Sequence, residues 1–559
     1  DEMARLIDKK RQQSPSRKIV LSLAGSSDYS TAPKRRQYPT EFLGQWRKRF
    51  PDVEIRFSTP SDYVSALRKE LRDGETQLET FEGGTPYAWN AFWVDLPAIK
   101  GQHRMSEQNL LGAEMLATAA SLMARSAYPS QAMEHAWIQL LMNTDRNVLW
   151  GSAAGEPFRS EKSWDVSDRY AAIQETTRRT ISQSLESLTT GGQDIVVFNP
   201  LNWRRHDPVE LTLPAGLRPA RIPAEADPER PDTILCEPSL APLGLSTIAL
   251  EAGAAEPPKE MLLPEVISTD YYRARFDARS GALLSLKLSD SGRQLLGGPA
   301  NVIAAEDQFE RLKKRPQTET FGADFMAPRP DRKVLAQSTD YSARIRVFEG
   351  PVAITIRVSQ EFYGGSRLDQ RIRLYRRHPR IDFDLGLDLR ARNVLITTNF
   401  PMAVEVAERT RGIPYGFETR KPRFPLVPNP DYLSDDLVFL GYPEAILPAI
   451  RWESYSLPGI GCMAILDRGL PFREVHGSTV TLGLVNAVAS YHGYPNPLLD
   501  GQGLHNLSYA LVPHGISWQD ASIPRLAYEF NAPFEVRHGA AIHPEMTLAG
   551  TSPNVIVEA

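Results

Sequence analysis

Cysteine is scarce in this chain. Cys236 and Cys462 are its only thiols among 559 residues. No C-x-x-C pair exists, which excludes a cysteine zinc ribbon or a thioredoxin-type site. A basic excess is also missing: 64 lysines and arginines face 68 acids, a formal charge of −4. Neither nucleic acid nor an anionic membrane surface has an electrostatic claim on such a chain. There is no run of 18 apolar residues, so no transmembrane helix is expected. The opening Asp1-Glu2-Met3-Ala4-Arg5 has no secretory-signal pattern and reads as the middle of a helix. Nucleotide fingerprints, internal repeats and low-complexity tracts are absent. The ten histidines are scattered, with no H-E-x-x-H. What remains is ordinary globular material, 42% hydrophobic and 24% charged, not a disordered tail or a coiled coil. At roughly 150 residues per domain the length suggests three or four domains.

Three regions follow one another. In residues 1–80, Lys18-Ile-Val-Leu-Ser-Leu-Ala-Gly25 and Val53-Glu-Ile-Arg-Phe57 read as strands, and Ser61-Asp62 as the cap of a helix through about Leu71. The order suggests parallel α/β structure that needs further chain or a partner to complete its sheet. Residues 81–192 read as three amphipathic helices, beginning near Ser106, Ser130 and Asp165, which implies a bundle. Residues 193–559 read as β-sandwich structure in two or more subdomains. Ile195–Phe198, Val209–Leu213, Ala353–Val358 and Ile381–Leu385 are alternating strands there.

Four stretches in this order resemble glycoside hydrolase family 38, the α-mannosidases. Phe57-Ser-Thr-Pro-Ser-Asp-Tyr63 resembles a segment near the end of that family's barrel. Asn143-Thr-Asp-Arg-Asn-Val-Leu-Trp-Gly-Ser152 stands where the family has a motif like N-Q-x-H-D-x-x-x-G-[ST]. Val197-Phe-Asn-Pro-Leu-Asn-Trp203 resembles the start of its first β domain. His505-Asn-Leu-Ser-Tyr-Ala-Leu-Val-Pro-His514 resembles its terminal segment, with Phe530-Asn-Ala-Pro533 following. The resemblance implies a multi-domain α+β protein: the end of a (β/α)7 catalytic barrel, a three-helix bundle, then large β-sandwich domains. The rest of the barrel would then lie on the same or another chain. The family binds zinc through an H-x-D pair and a bundle histidine. No H-x-D occurs here, and the histidine position is Arg146, with Asn147 in place of the neighbouring aspartate. A guanidinium stays protonated and cannot ligate zinc. Zinc is therefore expected from the family but not from this motif.

The residues that could carry chemistry cluster at a few points. Arg146, with Asn147, would put a fixed cation where the family holds its metal, suited to a carboxylate or sulfate on an acidic sugar; alternatively Arg146 pairs with Asp145. Asp28, in Gly25-Ser-Ser-Asp-Tyr29, follows the first expected strand and could serve as general acid, or cap a turn. Tyr87, Trp89, Trp93 and Asp95 stand where the family has aromatic sugar contacts, or else pack the bundle entrance. Asp500-Gly-Gln-Gly503 could reach over a site or close a hairpin. The resemblance thus implies hydrolysis of a glycosidic bond in an oligo- or polysaccharide. A polysaccharide lyase acting on a uronate glycan, a non-catalytic carbohydrate-binding protein and a subunit completing a partner's site are the alternatives. A homo-oligomer is compatible with all of them.

Overall fold

The computed structural model describes residues 2–14, 16, 18–21, 40–78, 93–145, 148–149, 165–307, 333–422, 446–487, 490–491, 494–495, 501–543 and 555–558. They fall into two compact units, Asp1–Thr85 and Pro86–Ala559.

The first unit holds helices α1 (Glu2–Gln13), α2 (Thr40–Arg49) and α3 (Pro60–Arg72). The cap of α3 is Thr59 rather than Ser61-Asp62: the Thr59 side chain accepts from the Asp62 N–H, and Asp62 returns a bond to the Thr59 N–H. Among the described residues this unit contains no strand. Lys18–Leu21 and Val53–Phe57, read as strands from their patterns, are irregular. An extended run becomes a strand only when a neighbour takes up its N–H and C=O groups. Here local partners take them instead. The Ser16 hydroxyl accepts from the N–H groups of Lys18 and Ile19, and the Val53 carbonyl accepts from buried Trp46 at 2.7 Å.

The second unit is mixed α and β, mostly sheet. Helices α4 (Pro97–Ala124), α5 (Ser130–Asn143) and α6 (Val166–Leu188) pack around Leu110, Leu116, Leu140, Ile173 and Leu185. That core runs on to Val196, Phe198 and Leu245 of the first β region. Helix α4 starts nine residues before Ser106, at Pro97 in its first turn, behind Leu96 in the left-handed region (φ 45°). Ser106 is buried within it. Pro129, not Ser130, precedes α5, and no side chain caps it. Asp165 does cap α6, in a reciprocal box with Asp168.

All strand pairings among the described residues are antiparallel; the largest sheets have ten and five strands. These two sheets share one apolar core, with Ile372, Phe383 and Leu511 from the larger and Ile303, Leu482 and Val485 from the smaller. The four strands read from alternation lie within Thr189–Asn199, Val209–Thr212, Ala353–Phe362 and Ile381–Leu389; only Leu213 falls outside. A last helix, α7 (Ile523–Asn531), lays Ile523, Ala527 and Phe530 on Trp452 and Leu466 of the larger sheet. No described helix is long and apolar enough to cross a membrane.

Candidate functional site

The site of interest lies where the start of α4 meets the end of α5 and the strand Thr479–Ala487. Trp93-Val94-Asp95 leads into α4. Trp93 is half-buried and packs against Leu395, Ile446 and Phe472. Asp95 is fully buried, and its Oδ1 accepts from the Asn486 side chain at 2.6 Å. The Asn486 N–H also donates to the Val94 carbonyl at 3.3 Å. The turn before α4 is thereby fastened to the strand Thr479–Ala487. Gly101 and Gly469 face each other beside it: a Cβ on Gly469 would come within 2.8 Å of the Gly101 backbone. Only glycine permits that approach.

Lys100, one turn into α4, joins this turn to the end of α5. Its ammonium donates to the carbonyl of Asp95 and, at 2.8 Å, to that of Leu149. Burial lowers its pKa to about 8, against the Asp95 carboxylate, which raises it. Leu149 in turn donates its N–H to the Asp145 carbonyl at 3.1 Å, as Val148 does at 3.0 Å. The backbone on both sides of Arg146-Asn147 is thus tied to α4.

Asn143 holds the other side. It is fully buried at the end of α5, donates to the Val166 carbonyl at 3.1 Å and accepts from Arg169 Nε at 2.6 Å. Next to it Tyr170 meets His103 at 3.1 Å. Burial lowers the His103 pKa to about 4, helped by neighbouring Arg104, and burial raises that of Tyr170. Both are uncharged at neutral pH. The glycine loop approaches from the β side. Gly501 (φ +63°) lies so close to Ala487 that a Cβ would meet its Cα at 3.1 Å, and its carbonyl accepts a hydrogen bond from the His505 ring at 2.7 Å.

Asp95 and Leu149, from two segments singled out in the sequence, are therefore joined through Lys100, while Gly501 lies against Ala487, next to the Asn486 that holds Asp95. Asp145 is exposed at the end of α5, while Asp95 and Trp93 face protein. Asp28, Tyr87, Trp89, Arg146 and Asn147 lie outside the described residues. Sequence reasoning missed Lys100, Asn486, Arg169, His103 and Tyr170. Only the i, i+5 step from Asp95 to Lys100 could have been noticed; the rest is tertiary.

A zinc site needs three or four nitrogen, oxygen or sulfur donors at about 2.0–2.3 Å. Among the described residues no three His, Cys, Asp or Glu side chains come together. The described residues therefore offer no donor set that fits zinc.

Residues 267–425 match the family model for the C-terminal domain of glycosyl hydrolases family 38. The chain is 23% identical to α-mannosidase 2C1 of Homo sapiens and of Mus musculus over 544 residues, 93% of this chain and 47% of each relative. It spans about half the length of these relatives. An α-mannosidase from Enterococcus faecalis V583 has a similar fold (TM-score 0.67, 13% identity, 90% of this chain and 64% of that one). So does a glycosyl hydrolase family 38 protein from the same species (TM-score 0.68, 13% identity, 97% and 69%). By these matches the chain is similar to family 38 α-mannosidases.

Proposed function

We propose that this chain supplies the helical and β part of a family 38-like glycoside hydrolase, acting on a glycosidic bond in an oligo- or polysaccharide. The observation that carries this reading is the likeness to α-mannosidase 2C1 along 93% of the chain. The tie of Asp95 and Leu149 through Lys100 supports it. In this reading residues 1–80 contribute the end of a catalytic barrel, residues 81–192 with α4–α6 the three-helix bundle, and residues 193–559 the β-sandwich domains.

Asp145, Arg146 and Asn147 would contact the sugar, and Lys100 and Asn143 would hold them in place. The Arg146 guanidinium would bond a carboxylate or sulfate in bidentate fashion, favouring an acidic sugar. Tyr87 and Trp89 would stack on ring faces, Trp93 being packed on Leu395 and Phe472, and Asp28 would protonate the leaving oxygen. A retaining reaction then follows from attack of a second carboxylate on the anomeric carbon; that nucleophile is not assigned to any residue here. Asp95, sealed against Asn486, would act through the position of α4.

The test is product analysis by NMR. The chain, and the full natural product of its gene, would be incubated with aryl α-mannoside, aryl α-glucuronide, and neutral and uronate oligosaccharides. Hydrolysis with retained anomeric configuration is expected. An unsaturated uronate product would replace the reading by a lyase, and binding without turnover by either form would replace it by a binding protein.

A further inference from the structure

We propose that the seam between residues 201–203 and helix α7 is a peptide site, which residues 555–558 occupy as a detachable ligand in cis. The ligand chemistry is an extended peptide with a branched apolar residue followed, two positions on, by a carboxylate. Two stretches singled out in the sequence, residues 197–203 and 530–533, meet at this seam through Leu201, Trp203 and Ala532. The candidate site above uses neither of them.

The walls of the seam are held independently of the segment. Asn199 is fully buried; it donates to the carbonyls of Trp203 at 2.8 Å and Ala241 at 2.9 Å and accepts from the Leu201 N–H at 3.0 Å. This turn sets Trp203 against α7. Its indole N–H donates to the Glu529 carboxylate at 2.7 Å, and its ring meets that of Tyr528 edge-on at 6.2 Å. Arg205, paired with Asp207, donates to the carbonyls of Glu529 at 2.9 Å and Ala532 at 3.2 Å.

A single side chain reads the segment's backbone. Asn202 Nδ2 donates to the Val555 carbonyl at 2.7 Å, and its Oδ1 accepts from the Val557 N–H at 3.0 Å. These are the two bonds that a residue of a parallel strand would make on either side of Ile556. Ile556 itself packs with Leu201, Trp203, Ala532 and Tyr528. Glu558 accepts from the Tyr528 hydroxyl, and its Oε1 lies 3.8 Å from Arg451 Nη1. Arg451 stands in the left-handed region (φ 67°), with its guanidinium over the Tyr528 ring at 4.6 Å and its Nη2 3.3 Å from Glu107 of α4. The grip thus has a backbone, an apolar and a charged part within four residues. Each gain is small, and the entropy of ordering four residues opposes their sum. Val555 and Glu558 stay exposed in place. A segment held in this way exchanges with solvent and with a competing peptide.

The proposal does not depend on the glycan reading. The probe is a synthetic peptide of residues 553–559, fluorescein-labelled at its N-terminus and amidated, titrated by fluorescence anisotropy. The protein is the 559-residue chain, unsubstituted and with Ile556→Asp, which alters the resident segment and leaves the walls as they are. In the unsubstituted chain the tethered segment competes at high effective concentration, so the peptide should bind Ile556→Asp at least about tenfold more tightly. Adding Asn202→Ala or Tyr528→Phe to Ile556→Asp removes one hydrogen-bonding group and should weaken binding about fivefold. Melting curves confirm that each variant is folded, and Tyr528→Phe keeps the ring that packs the seam. Absence of binding to folded Ile556→Asp overturns the proposal. So does equal binding by the unsubstituted chain and Ile556→Asp, or binding that neither wall substitution weakens. A dimer of the unsubstituted chain in light scattering that Ile556→Asp dissolves would assign the seam to a second copy's segment and overturn occupancy in cis.

Discussion

Lys100 spends one ammonium on two carbonyl oxygens from separate segments. Lys100→Met leaves both acceptors without their donor and should cost about 1–3 kcal/mol, read as a lower melting temperature. The pH dependence has a definite sign. With its folded pKa lowered to about 8, the native chain holds fewer protons at this site than the unfolded chain between that value and about 10.4. Stability from this group therefore rises with pH across that window, and the gap in melting temperature between the native chain and Lys100→Met should be wider at pH 9.5 than at pH 7. A gap that narrows would show that the ammonium is not held as described. A second residue-scale case is Arg409 with Glu453, both fully buried and bonded at 2.5 Å. Glu453→Ala leaves a guanidinium in the interior and should cost about 3–5 kcal/mol in denaturant unfolding. Replacing both partners by apolar residues of similar volume should cost less.

Helix α6 shows what an element owes to its own sequence. Asp165 and Asp168 close its first turn without help from elsewhere, and this start is readable because the cap is local. Asp165→Ala should destabilise the chain by about 1 kcal/mol, and Asp165→Asn by much less; equal losses would locate the effect in charge rather than in the cap. Other boundaries were harder to read. Helix α4 begins at Pro97 because Lys100 and the Gly101–Gly469 approach draw its first turn against the β region. Lys18–Leu21 has the composition of a strand, yet Ser16 and not a neighbouring strand takes its N–H groups. Helix α7 depends on the apolar face it finds on Trp452 and Leu466, distant in sequence.

At the scale of the molecule, buried ion pairs set the acid limit. Burial would raise the pKa of Asp207, but Arg205, bonded to it at 2.7 Å, and Arg380 outweigh that and hold it below the usual carboxylate range. A depressed carboxyl stabilises the fold above about pH 4, its unfolded value, and loses that contribution as pH falls through its folded value. Unfolding should therefore set in below about pH 4, and Asp207→Asn should flatten the slope there. The thiols give a second whole-molecule test. Cys236 is fully buried with its pKa pushed up by burial to about 12, and Cys462 is half-buried and also raised. A thiol reagent at pH 8 should leave Cys236 unlabelled in the native chain and label two thiols per chain in denaturant. Rapid native labelling of Cys236 would mean that the first β region opens.

Alternation along Ala353–Phe362 and Ile381–Leu389, the spacing of α6 and the order of four motif stretches were determined by sequence alone, because each rests on neighbours a few residues apart. The same reading picked out Tyr87–Asp95, Asn143–Ser152 and Asp500–Gly503 one at a time. That Asp95 and Leu149 are joined depends on Lys100 reaching a carbonyl 49 residues away, and the docking of Asp95 depends on a side chain 391 residues away. Arg346, Arg357 and Arg371 likewise come to face one another only in the register of adjacent strands. Contacts of this reach are chosen by how whole sheets and helices bury their apolar faces, and only the tertiary structure decides that.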